Sequence, residues 1–583
     1  MSKDRTVSNE ELGRNGELVF VFAFALLLSF VAFAWFYRQG DILLYGDAVA
    51  HLNIARRFTD SRDPGWDQLG SVWLPLPHLL IAPFVANDRL WRTGVGGSIP
   101  SMLAYVLGIV GIFRLVRART AAAPASLAAA IYAFNPSLLY MQATAMTESI
   151  YLAAVIWSVV YFDDFLRALH GDVPAGLPQT AAAGRSGPGS LPAWRAIERC
   201  GCCLAAAIFT RYDGWIFAFV VALCALWPVK NWFATRPPRQ QIKRLVRSLA
   251  YFILLLALCP TLWLAHNYKI NRHPLDWLNG PYSAKAIAQR TARPGDPPYP
   301  GENHPVVAAQ YFLKAARMNL GEASGQNWLI LLAAAGVLIS LFHLRRFSAW
   351  LLLWIPLPFY AYSIAYGSVP IFIPEWWPFS YYNVRYGLEL LPTVAVFTAL
   401  IPWGISRLCP VPAPAGKLWP PTRHCFTPAV TVALFAITFF SFSSSAWCFS
   451  RRSQDQNFSR RWMIPICYRE AWVNSRSRLQ LESQLAETLG LIPPNATVLM
   501  YTSDYVGAIQ RAGIPFSRII SESTRVAWDS ARSAPFAGAD YIVAIAGDPV
   551  AEAVRLNPRG LVKVAIVHTL GKPEVSIYRA SRP

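Results

Sequence analysis

Residues that could do acid–base and phosphate chemistry concentrate in one stretch, Tyr45-Gly46-Asp47-Ala48-Val49-Ala50-His51-Leu52-Asn53-Ile54-Ala55-Arg56-Arg57. Residues 48–58 have helical spacing, with Ala48, Leu52 and Ala55 on one side. On such a helix Asp47 and His51 stand four residues apart and share a face. A carboxylate so placed can take a proton from an acceptor hydroxyl. The adjacent guanidiniums of Arg56 and Arg57 match phosphate oxygens in bidentate geometry. A plainer reading fits the same residues: Asp47 as the N-cap of the helix, with arginines meeting lipid headgroups. The stretch runs on through Gln68-Leu69-Gly70-Ser71-Val72-Trp73 to Leu74-Pro75-Leu76-Pro77-His78, a turn followed by apolar residues that head back toward a bilayer.

Ionisable groups at the ends of apolar runs are the next candidates. Glu148, in Met146-Thr147-Glu148-Ser149, is a second carboxylate, serving as an acceptor contact, as the partner of a basic residue, or simply as an acid favoured by a helix dipole. In Thr210-Arg211-Tyr212-Asp213-Gly214, Arg211 could reach a phosphate while Gly214 permits a chain reversal; an Arg211–Asp213 structural pair fits as well. Arg385 and Glu389, one turn apart in Asn383–Pro392, could neutralise each other as a buried pair. Lys269 is a further substrate-contact candidate. His266, His273 and His304 lack the spacing of metal ligands, and no metal site is expected.

The elements that must position these groups are membrane helices. Hydrophobic residues make up 54% of the 583, charged residues 15%, and mean hydropathy is +0.31, too apolar for a water-facing surface of normal polarity. Apolar runs cover roughly 18–37, 96–116, 121–141, 144–166, 197–212, 214–230, 246–266, 326–343, 348–366, 386–406 and 426–447, about eleven in all. The first follows a polar, partly basic leader and is longer than a signal-peptide core, so it reads as a retained helix. With the N-terminus cytoplasmic, every short inside loop is basic, from Arg114/Arg117/Arg119 to Arg407/Lys417/Arg423. That places loops 38–95 and 267–325, and everything after about 448, outside. The net charge of +20 is therefore a topology signal; no basic stripe suggests nucleic acid. Nine cysteines form no framework, although Cys448 and Cys467 share the external side and could pair. Residues 171–192 read as a Gly/Pro/Ala/Ser-rich linker. Past about 450, a helix over 476–489 and β-type runs at 498–502, 518–521, 541–546, 562–567 and 575–578 alternate, as in a small α/β domain. The expected domains are a membrane region, 1–450, and an external tail, 451–583.

One span, then a long external loop that carries an acid and amphipathic helices, resembles the arrangement of GT-C glycosyltransferases. More narrowly, the Gly-Asp-Ala-x-x-His-Leu-x-Ile-Ala-Arg-Arg and Gln-Leu-Gly-Ser-Val-Trp-Leu-Pro-Leu-Pro-His stretches resemble bacterial members of the protein-O-mannosyltransferase-like branch, family 39. The likeness covers roughly 15–445. It implies an inverting transfer of a sugar, mannose or another hexose, from a polyprenyl-phosphate carrier to a protein, lipid or polysaccharide acceptor on the outer face of the inner (plasma) membrane. It needs no cofactor. Asp47 matches the essential acid, with His51 and Glu148 beside it in the catalytic set. Glu148 matches a Thr-Glu of the family and Arg211/Asp213 its Arg-x-acid-Gly turn. Arg385 matches its Arg-Tyr signature and so becomes the carrier-phosphate contact, with Arg56, Arg57, Arg211 and Lys269. The family often carries two adjacent acids where this chain has Gly46-Asp47. A metal-dependent oligosaccharyl transferase of similar fold would need an Asp-x-Asp, which Asp47, Asp63 and Asp67 do not form. A transporter would instead break its spans with mid-membrane charges.

Overall fold

A computed structural model describes residues 2–170, 191–291, 295, 297–321, 323–408, 429–439 and 465–581; the linker 171–192 lies almost wholly outside them, as does Cys448. Among the described residues seven helices are long and apolar enough to cross a membrane: Asn15–Gln39, Val95–Arg117, Glu148–His170, Asp213–Ala234, Arg239–Asn271, Ser348–Tyr366 and Val384–Arg407. The chain is a multi-pass membrane protein. The other four apolar runs make shorter helices. Asn135, which caps the helix Pro136–Met141 through its side chain, splits the run 121–141 from Ala122–Ala133. The runs near 197–212, 326–343 and 426–447 yield Ala193–Ile208, Trp328–Phe342 and, within the described residues, Ala429–Phe439.

The chain divides into two compact units. The first comprises Met1–Trp35, Met102–Gln142 and Thr147–Arg469. Its central element is Glu148–His170, buried along nearly its whole length against Ala193–Ile208. The far end of that helix is fastened ionically. Arg119 pairs with Asp163 at 2.8 Å, Arg114 with Asp164 at 2.6 Å, and Arg167 reaches both acids. Two glycines permit the close approaches that shape the near end. A Cβ on Gly387 would stand 2.4 Å from the backbone of Ala315 and Ala316, so the tight turn Val384–Leu390 can lie against the helix Pro305–Asn319 only with glycine there. A Cβ on Gly214 would stand 2.5 Å from the Ala207 carbonyl, which makes the same residue type obligatory at the reversal before Asp213–Ala234. Cys467 donates a hydrogen bond to Asn319 Oδ1 at 3.1 Å.

The second unit joins Phe36–Ser101 and Ala143–Met146 to Glu470–Pro583. The tail carries the expected α/β domain, a five-stranded sheet of β1 (Val498–Met500), β2 (Ile519–Ile520), β3 (Tyr541–Ile545), β4 (Leu561–Val567) and β5 (Val575–Ala580) in the order β2-β1-β3-β5-β4. β2, β1 and β3 run parallel, and β5 is antiparallel to both β3 and β4. Apolar residues on one face of the sheet, Leu499, Ile520, Ile542 and Ala544, pack with Trp528 and Val550 from flanking helices.

In the same unit, residues 36–101 include the helices Gly46–Thr59, Pro75–Val85 and Asp88–Thr93. A closed ring of buried hydrogen bonds fixes the tail to them. Trp91 Nε1 donates to Asn53 Oδ1 at 2.9 Å, Asn53 Nδ2 to Gln510 Oε1 at 2.9 Å, and Gln510 Nε2 to the Trp91 carbonyl at 2.8 Å. All three side chains are buried, so the ring cannot trade its partners for water. Asn53→Leu strands the indole N–H and the Gln510 oxygen at about 1–3 kcal/mol each. It is expected to lower the thermal unfolding midpoint by several degrees in scanning fluorimetry, whereas Glu552→Ala on the tail surface leaves that midpoint in place.

Candidate functional site

Two constellations carry the candidate residues, one in each unit. In the second unit, Asp47 is half-buried in the first turn of Gly46–Thr59, and His51 follows one turn later on the same helix, as the spacing predicts. His51 is buried against Trp73, ring centroids 4.6 Å apart, and its Nδ1 lies 2.8 Å from Nε2 of His78 on Pro75–Val85. In a neutral pair one ring donates and the other accepts. His78 is wholly buried and its Nδ1 has no hydrogen-bond partner among the described residues. Burial first, then the charge of His51, then that of Arg57, hold its pKa well below the ordinary histidine value.

The two neighbouring arginines differ sharply. Arg56 is an internal clamp. Nε donates to Asp60 at 2.9 Å, Nη1 to the carbonyls of Val85 and Ala86 at 2.7 and 2.9 Å, and Nη2 to Asp88 at 2.7 Å, with the guanidinium stacked on Trp91. Four of its five N–H groups are thus committed to tying the three helices together. Arg57 stands over the Phe516 ring, 6.0 Å from its centroid.

In the first unit Glu148, Arg211, Asp213 and Arg385 come together although 237 residues separate the first from the last. Glu148 Oε1 lies 3.2 Å from Arg385 Nε and 3.7 Å from Arg211 Nη1. Arg211 Nε donates to Asp213 Oδ2 at 3.0 Å, and Nη2 reaches Tyr360 Oη at 2.6 Å and Glu389 Oε1 at 3.1 Å. Tyr360 in turn donates to Glu389 Oε1 at 2.6 Å. Both guanidiniums lie over the Tyr386 ring, and Arg211 also faces Tyr151. Glu148 and Glu389 are 1% and 3% exposed, and in each carboxylate Oε2 has no hydrogen-bond partner among the described residues. Three carboxylates thus share two guanidiniums. Lys269 lies exposed in the last turn of Arg239–Asn271.

Spacing alone supplied the Arg211–Asp213 contact and the shared face of Asp47 and His51. It missed Tyr360, Tyr386 and Tyr151, and it missed the role of His78. For Tyr360 the available signal was a phenol inside a span, where a hydroxyl must find a partner. Among the described residues no group of three or more His, Cys, Asp or Glu side chains is placed to hold a metal ion.

No protein-family model matches the sequence, and no curated protein matches it. The structure is similar to that of ArnT from Cupriavidus metallidurans bound to undecaprenyl phosphate, with TM-score 0.52 and 13% identity over 96% of this chain and 98% of that one. The apo state of the same protein gives TM-score 0.50 and 14% identity over 97% and 98%. The Archaeoglobus fulgidus oligosaccharyltransferase in its apo form gives 0.45 and 12%, over 91% of this chain and 69% of that one. The likeness to ArnT shows the fold, which is GT-C.

Arg385→Met leaves Glu148 buried beside only the more distant Arg211, and is expected to cost about 3–5 kcal/mol. The double variant Arg385→Met/Glu148→Gln recovers a large part of that loss, a coupling that thermal unfolding in a double-mutant cycle measures. A pH dependence follows from His78. Its folded pKa lies below its unfolded one, so the unfolded chain binds the extra proton and stability falls as pH drops below about 6.5. His78→Leu is expected to flatten the unfolding midpoint between pH 7 and 5.

Proposed function

We propose that the protein is a membrane glycosyltransferase that moves a sugar, mannose or another hexose, from a polyprenyl-phosphate carrier to an acceptor hydroxyl. The observation that carries this reading is the Glu148–Arg211–Asp213–Arg385–Glu389 cluster. Two carboxylate oxygens buried without partners among the described residues, beside two guanidiniums, form a polar site of the kind that a ligand completes. The GT-C fold supports the reading, and so does the undecaprenyl phosphate bound by ArnT, a protein of that fold.

In the proposed reaction Asp47 accepts the proton of the acceptor hydroxyl as its oxygen attacks the anomeric carbon. The bond from that carbon to the phosphate oxygen breaks as the new glycosidic bond forms, so the configuration inverts. Polyprenyl phosphate departs with the bonding electron pair, and Arg385, with Arg211, steadies its charge. Arg57 is a further phosphate contact. Arg56, with its donors committed, serves by holding the Asp47 helix in place.

The test is turnover of undecaprenyl-phosphate mannose by the full chain in nanodiscs, alongside mass spectrometry of lipid-linked sugars in cells with and without the gene. Asp47→Asn is expected to reduce transfer by about 100-fold or more; full transfer by that variant removes the base assignment. Activity abolished by EDTA and restored by Mn²⁺ would instead favour metal-dependent chemistry.

A further inference from the structure

The tail does more in this structure than cap a domain, because one of its helices grips residues that precede Asp47. Arg478, on the helix Ile466–Leu489, donates from Nη2 to the carbonyls of Leu43 and Leu44 at 3.1 and 2.9 Å. Its Nη1 donates to Glu482 Oε2 at 2.8 Å, and its Nε would lie 3.7 Å from a Cβ on Gly46. Two residues before Asp47, Tyr45 Oη donates to Glu470 Oε2 at 3.1 Å. Leu43, Leu44 and Tyr45 are thus each hydrogen-bonded by a side chain of one tail helix, more than 420 positions away in sequence.

The grip is itself anchored. Glu482 is 2% exposed and also faces Arg511 at 3.7 Å. Gly507 lets its carboxylate seat against the backbone of Val506–Ala512, since a Cβ there would meet it at 2.4 Å. Arg478 is therefore held from behind by a buried anion while its front edge holds two backbone carbonyls. A planar guanidinium can do both at once, whereas an ammonium has no such fixed fork.

We infer that Arg478 is a positioning residue for Asp47, which makes the tail part of the catalytic apparatus; the inference rests on the proposed role of Asp47 as base. Asp47 sits in the first turn of its helix, where no side-chain cap fixes the N-terminus. The register of that turn is set by the chain entering it, and Arg478 fixes that chain. A displacement of about 1 Å at a reacting group costs up to about 100-fold in rate.

The experiment uses the full chain in nanodiscs with Arg478→Ala, Arg478→Lys and, as a control, Arg555→Ala on the exposed face of the tail. Hydrogen–deuterium exchange over residues 41–55 is read beside turnover of undecaprenyl-phosphate mannose. With Arg478→Ala, exchange in that segment is expected to rise about tenfold or more, the two charge-assisted bonds being lost. Exchange in strands β1 and β3 stays unchanged. kcat falls about 10–100-fold with KM unaltered, and Arg478→Lys recovers part of both effects. The inference is overturned if exchange over 41–55 does not change, if it rises equally in the strands, or if local loosening leaves kcat intact. Should the unaltered protein fail to turn over the donor while the segment still loosens, the grip stands and the transferase reading falls.

Discussion

A charge among membrane-spanning helices has no water to turn to, and the arrangement of the first unit follows from that constraint. Glu148, Asp213 and Glu389 must each find a cation or a hydroxyl within the protein, and Arg211 and Arg385 must each find an anion. Their meeting requires the ends of Glu148–His170, Asp213–Ala234 and Val384–Arg407 to converge. Convergence in turn requires backbones to approach more closely than a β-carbon allows, which is why Gly214 and Gly387 stand where they do. Tyr360 adds a hydroxyl that both accepts from Arg211 and donates to Glu389.

The two ends of the helix Glu148–His170 answer the same constraint in opposite ways. At the far end Asp163 and Asp164 are matched by Arg114, Arg119 and Arg167, with more guanidinium donors than carboxylates and a bidentate Arg119–Asp163 contact. That end is saturated, as a fastening should be. At the near end two guanidiniums are shared among three carboxylates, and two carboxylate oxygens have no hydrogen-bond partner among the described residues. Incomplete satisfaction of buried polar groups is costly, and the contrast between the two ends is what the proposed ligand site at the near end would account for.

Much of this was legible before any coordinates. The apolar runs, the strands of the tail and the helix that follows Asp47 come from periodicity, a local property of the chain. The break at Asn135-Pro136, which divides the single run 121–141 into two helices shorter than a span, does not come from it. Partner choice is different. Spacing offers Arg385, one turn away, as one partner for Glu389, whereas the structure sets its Oε1 against Arg211 and Tyr360. His51 was read beside Asp47, and its short contact to His78 arises from the packing of a second helix. Arg478 sits in a polar stretch of helix with no local feature to distinguish it, because its targets are backbone carbonyls, which no sequence pattern marks. Long-range contacts of this kind depend on tertiary geometry that periodicity does not encode.

On the proposed reading, the charge balance of the near-end cluster also constrains how a substrate enters it. A phosphodiester brings another negative charge to a site where three carboxylates share two guanidiniums, so it competes with those acids for Arg211 and Arg385. Arg385 meets Glu148 at 3.2 Å through Nε, while Arg211 is engaged by Asp213, Glu389 and Tyr360 together. Should that competition loosen Glu148 from Arg385, sugar hydroxyls, which are hydrogen-bond donors, are groups able to satisfy its oxygens. Carrier and sugar would then bind as one event, the phosphate opening the acid that the sugar closes, and a carrier without its sugar would leave the buried carboxylate stranded.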